Sequence, residues 1–137
     1  MKFIRLGLAA VLISSGLLSA TVVADQTQVY FIEPADGATV SSPVSVKFGL
    51  KGMGVAPAGI DVPNTGHHHL LVNLDSLPDL SLPIPADKQH IHFGGGQTEA
   101  SVELPPGEHT LQLLLGDYLH RPHEEPVVSQ KITITVK

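Results

Sequence analysis

Three short groups hold all but one of the eight histidines in this chain of 137 residues: "HHH" at His67, His68 and His69, "HIH" at His90 and His92, and "HRPH" at His120 and His123. A neutral imidazole offers a nitrogen lone pair, which makes histidine the commonest metal ligand among side chains. On a β-strand the first and third residues of His-x-His share one face, roughly 6 to 7 Å apart, close enough for both rings to lean onto one ion. His67 with His69 and His90 with His92 both fit that pattern. His120 and His123 belong to a loop, where Pro122 restricts the backbone between them. The six residues His67, His69, His90, His92, His120 and His123 are therefore the candidate metal ligands.

The chain has no cysteine, so no thiolate site and no disulfide is available. Imidazole alone suits zinc, copper, nickel or iron, and an added thioether would favour cuprous copper. Met53, in the glycine-rich "KGMGVAPAG" that leads to the first histidine group, is the only candidate for that soft ligand. Gln97, Glu99 and Asp117 are candidates for orienting ring N–H groups, as neighbours of metal-bound histidines do. His68 has the opposite strand parity, toward the core, and could act only as a buried support. The bland reading of each group is a solvated strand end. Clustered imidazoles can also sense pH by repelling one another when protonated near pH 6. His109 opens an apolar strand with core parity and reads as a hydrogen-bonded structural histidine.

Other chemistries find little footing. No serine sits in a nucleophile elbow, so no catalytic residue is assigned. "FGGGQTE" at residues 93–99 lacks the following helix that a phosphate cradle needs. Its glycines more simply let the backbone pass close to the His90 and His92 side chains. Glu124 and Glu125, on a proline-flanked loop, read as solvated.

The elements that must position these histidines are strands. "VYFIEP" (29–34), "VSVKFGL" (44–50), "HHLLVNL" (68–74), "HIH" (90–92), "TEASVEL" (98–104), "HTLQLLLGD" (109–117) and "VVSQKITITV" (127–136) carry strand composition or alternation between glycine and proline signals. Residues 51–66 read as a long ordered loop and residues 75–89 as a proline-broken crossing over one end of the sheets. About seven short strands predict an all-β, antiparallel, immunoglobulin-like β-sandwich. In such a sandwich the loops collect at two ends, and the three histidine groups would meet at one of them.

Residues 1–24 read as a cleavable signal peptide: Lys2 and Arg5, then an apolar run, then small residues before a cut after Ala24. The run falls short of the roughly 20 residues that span a bilayer. Residues 25–137 would then form a single domain, periplasmic or secreted, with no membrane attachment. Of the eight basic residues Lys2 and Arg5 leave with the signal, so six face thirteen acidic ones, a net charge of about −7. That balance disfavours nucleic acid and favours cations as partners.

The blocks "VYFIEPADGATVSSPVSVKFGLKGMGVAPAG", "NTGHHHLLV", "HFGGGQTE", "LPPGEHTLQLLLGD" and "HRPHEEPVVSQKITITV" together resemble the short exported bacterial proteins grouped as domain of unknown function 4399, over about residues 29–136. The resemblance implies no activity; it places the histidine groups within the family's signature blocks. The expected function is periplasmic binding or trafficking of a transition-metal ion, copper or zinc, without turnover and with a periplasmic protein as a further partner. Two alternatives stand beside it: an extracytoplasmic interaction or pH-sensing module, and a His-ligated metalloenzyme.

Overall fold

The computed structural model describes residues 26–137, so the signal peptide expected at residues 1–24 lies outside the described residues. Among those described there is no helix. The strands are β1 (Gln28–Glu33), β2 (Thr39–Val40), β3 (Val44–Lys51), β4 (Gly54–Val55), β5 (Thr65–Val72), β6 (His90–His92), β7 (Glu99–Val102), β8 (Gly107–Gly116) and β9 (Ile132–Val136). They form the expected antiparallel sandwich, in nine segments rather than about seven. The smaller sheet has the order β1-β3-β7; the larger runs β2-β9-β8-β5-β4, with β6 also paired to β5. The two additional segments, β2 and β4, pair parallel to β9 and β5 respectively.

Alternation builds the layer between the sheets. Val44, Val46 and Phe48 of β3 point inward, while Ser45 and Lys47 face solvent, where Lys47 pairs with Glu33 at 2.8 Å. Leu70 and Val72 of β5, Leu111, Leu113 and Leu115 of β8, and Ile132, Ile134 and Val136 of β9 meet them from the larger sheet. Each such buried aliphatic side chain contributes about 1.5 to 3 kcal/mol of apolar transfer.

The outer face of the larger sheet is covered as well. Leu71, Ile84 and Leu114 form a second buried cluster, against which Leu74, Leu77, Leu80 and Val128 pack. Residues 75–89 thus lie across this face and do not cross one end of the sandwich. Leu71 and Leu114 hold the positions that the alternation leaves to solvent, and they need an apolar cover; Leu77, Leu80 and Ile84 supply it. From Gly66 to Val72 every residue of β5 is consequently buried, the condition of a strand covered on both faces.

The last strand is shorter than expected. Residues 127–131 run alongside β8 through Leu115 N–H to Val127 O at 3.0 Å and Ser129 N–H to Leu113 O at 2.9 Å, with only an isolated bridge at Val128. The Ser129 hydroxyl accepts from Leu113 N–H at 2.8 Å and donates to Gln130 O. A side chain that bonds the backbone in this way replaces a regular ladder.

Candidate metal centre

Four of the six candidate ligands come together on the outer face of the larger sheet. His67 and His69 stand two residues apart on β5, and both are fully buried. His92 sits beside His69 across the β5–β6 ladder. His120 arrives from the turn that follows β8. One ring nitrogen from each of His67, His69, His92 and His120 lies within 4.8 Å of all the others. The groups therefore meet, as expected, at one end of the larger sheet, where β5 begins and β6 and β8 end, and they do so on its outer face, beside the second apolar cluster.

His67 is the hub. Its Nε2 lies 3.2 Å from His120 Nδ1 and 3.2 Å from His92 Nε2. An imidazole nitrogen carries one in-plane proton or one lone pair, so it can be aimed along only one of those contacts. Nitrogens bound tetrahedrally at 2.0 to 2.1 Å from zinc stand about 3.3 Å apart, close to the spacing observed here. Meanwhile Nδ1 of His67 and Nδ1 of His69 are buried with no hydrogen-bond partner. Unpaired buried polar atoms are destabilising; an ion at the centre would engage Nε2 of His67, whereas Nδ1 of that ring points away from it.

Backbone features make room for the rings. A Cβ at Gly94 would collide with the His92 ring, and a Cβ at Gly116 would lie 2.7 Å from His69 Cε1. His120 adopts a left-handed φ of 63°, a conformation uncommon for a non-glycine residue. Asp117 holds that turn: its carboxylate accepts from Leu119 N–H at 2.8 Å and Arg121 N–H at 2.9 Å, and its carbonyl accepts from His120 N–H at 2.9 Å. Strand alternation could suggest neither Gly116 nor this turn, because both are matters of close approach.

The surroundings of His67, His69 and His92 favour the neutral ring. Burial, followed by the neighbouring His92 and His120, lowers the pKa of His67 to about 4, with Asp117 opposing. Burial, then His67, His92 and His120, lowers that of His69 to about 3. His92 is exposed to solvent yet also lowered, by partial desolvation and then by His120. At neutral pH His67, His69 and His92 therefore offer lone pairs with little competition from protons.

The other sequence candidates are placed elsewhere. His90 lies opposite Leu71 on the ladder, with Nδ1 2.8 Å from an Asp87 carboxylate oxygen. His123 donates from Nε2 to Thr65 O at 3.1 Å. Proximity in sequence misleads for both: one residue pair along a ladder, or three along a turn, redirects a ring. Met53 packs against the inter-sheet core. Gln97 accepts from Gly95 N–H at 2.9 Å and so orders the glycine turn, not a ring. Asp117 likewise acts on backbone. His68 points into the inter-sheet core, 4.9 Å from the Phe48 ring, with neither ring nitrogen hydrogen-bonded. His109 Nε2 donates to Pro105 O at 2.8 Å and its Nδ1 lies 2.9 Å from Asn73 Nδ2.

Comparison with known proteins gives a family and no activity. The family model described as "Domain of unknown function (DUF4399)" matches residues 46–137, a stretch that contains all eight histidines. A search of curated proteins finds no match. Among solved structures, the X-ray structure of the endo-beta-1,4-mannanase from Thermotoga petrophila aligns at 21% identity with a TM-score of 0.46, over 82% of this chain and 20% of that one. This chain thus spans about a fifth of the mannanase chain.

Proposed function

The chain belongs to the DUF4399 family, whose description states no activity, and we propose that this protein binds one transition-metal ion, copper or zinc, through His67, His69, His92 and His120. The observation that carries the reading is the set of four imidazole nitrogens within 4.8 Å of one another, two of whose contacts converge on the single Nε2 of His67. An all-nitrogen donor set suits Cu(II) and Zn(II), and Cu(II) binds the tighter of the two at comparable sites. With Met53 against the core, nothing favours cuprous copper.

Four protein ligands also favour holding an ion over turning one over, because a catalytic zinc site keeps a position open for water or substrate. The role is binding or trafficking in the periplasm after removal of residues 1–24, with a protein partner to exchange the ion. Exposure of His92, alone among the four rings, gives such a partner its approach. A switch near pH 6 draws less support, since His67 and His69 are held at about 4 and about 3.

Competitive titration of the purified protein with Cu(II) and Zn(II) tests this reading. A saturable site of one ion per chain, micromolar or tighter, is expected. The absence of any site tighter than millimolar ends it.

A further inference from the structure

One short segment touches every part of the chain that carries a ligand. Residues 56–60, "APAGI", leave β4 and run outside β5. Ala56 N–H donates to Gly66 O at 3.0 Å, immediately before His67. Ala58 N–H donates to Gly94 O at 2.8 Å, two residues after His92, and Gly59 N–H donates to Tyr118 O at 2.9 Å, two residues before His120. Among the described residues, the turn after β6 and the turn after β8 share no backbone hydrogen bond with each other. The segment spans them. Within it, Ile60 N–H closes a turn onto Pro57 O at 3.3 Å, and Gly59 supplies a φ of 80°, which L side chains rarely adopt.

We propose that residues 56–60 are a positioning strap for the metal centre: through three backbone donors they fix the turn that carries His120 and the turn after β6 relative to each other and to the strand that carries His67 and His69, in addition to the ladder that seats His92 beside His69. This inference rests on the metal-binding reading. The geometry explains why a segment exposed at Pro57, Gly59 and Ile60 has a fixed path. His67 and His69 are placed by the sheet itself, whereas β6 is only three residues long and His120 lies in a turn. Two of the four rings thus depend on short elements, and the strap is what joins those elements. A ligand displaced by about an ångström from a fixed coordination shell no longer completes it.

A matched pair of glycines permits a direct test. Gly59 and Gly37 have φ of 80° and 77°, and an added Cβ meets no atom within 4 Å at either position. Gly37 belongs to the turn before β2, where its N–H donates to Thr133 O, on the opposite edge of the larger sheet. Gly59→Val and Gly37→Val therefore impose the same kind of backbone strain, one within the strap and one remote from it. Cu(II) affinity by competition, and the nitrogen hyperfine pattern of the cupric electron paramagnetic resonance spectrum, are measured for the full chain and both variants. Gly59→Val is expected to weaken binding tenfold or more and to reduce the number of coordinated nitrogens; Gly37→Val is expected to change neither. If Gly59→Val fails to fold, Ala58→Pro, which removes only the N–H that reaches Gly94, is expected to give the same spectral change. Equal affinity and equal spectra for the Gly59 and Gly37 variants overturn the strap while leaving the metal centre intact. Failure of the unaltered protein to bind any ion overturns the proposed function and the strap's role together.

Discussion

The two faces of β5 carry the same residue type to the same depth and put it to different use. On the inner face His68 is fully buried against Phe48, alone, with both nitrogens unpaired. On the outer face His67 and His69 are as deeply buried, and their rings gather with two more. Burial lowers the pKa of all three to between about 3 and about 4. Neither burial nor a displaced pKa therefore distinguishes a candidate ligand from a core residue on this strand. What separates the two faces is company: the inner histidine meets apolar side chains, the outer ones meet other imidazoles.

The comparison breaks most sharply by exchanging the two kinds of histidine. His69→Ala is expected to weaken Cu(II) binding roughly 100-fold or more, about 2.7 kcal/mol, in a competition titration. His68→Leu is expected to leave that affinity unchanged. A comparable loss from both would mean that the faces are coupled and that the distinction fails.

Stability should respond in the opposite order. Replacing His68 by leucine removes two unpaired buried polar atoms, so urea unfolding at pH 7 is expected to show a gain of about 1 to 2 kcal/mol. A loss on that substitution would show that the ring makes a polar contact worth more than the packing.

Acid sharpens the contrast further. The folded-state pKa values of His67, His68 and His69 lie below the ordinary 6.5, so in acid the unfolded chain binds protons that the folded chain refuses. Stability is then fully present above about pH 6.5 and falls as pH drops through about 4, at about 1.4 kcal/mol per pH unit for each histidine that charges only on unfolding. His68→Leu should make that fall shallower. An unchanged slope would show that His68 is already charged, or already free to charge, in the folded protein.

Much of this arrangement was legible in the sequence, and the missing parts have physical reasons. Strand parity assigned His68 to one face and His67 with His69 to the other, because side chains on a strand alternate regardless of context. The sandwich followed from the spacing of short strands and turns. The cover over the outer face did not, although Leu71 and Leu114 broke the alternation and were its visible sign; a residue of wrong parity is easily discounted when the partner that buries it lies in an irregular segment. The choice of His92 over His90 depends on register with β5, and that of His120 over His123 on a left-handed turn held by Asp117. Neither register nor turn handedness is written in the spacing of histidines.

Smaller effects refine the boundary of the site. Gly94→Ala places a methyl group against the His92 ring. Roughly tenfold weaker binding is expected, in the range found for residues that support ligands rather than supply them. His90→Ala and His123→Ala should leave affinity unchanged, since both rings are turned to other partners. Loss of binding in either would move the centre away from the four rings named here.

X-ray absorption at the zinc edge of the metal-loaded protein addresses the central claim most directly. A first shell of four nitrogens at about 2.0 to 2.1 Å, with the outer-shell scattering of imidazole rings, is expected. A shell made mostly of oxygen, or one with no more than two imidazoles, would contradict it.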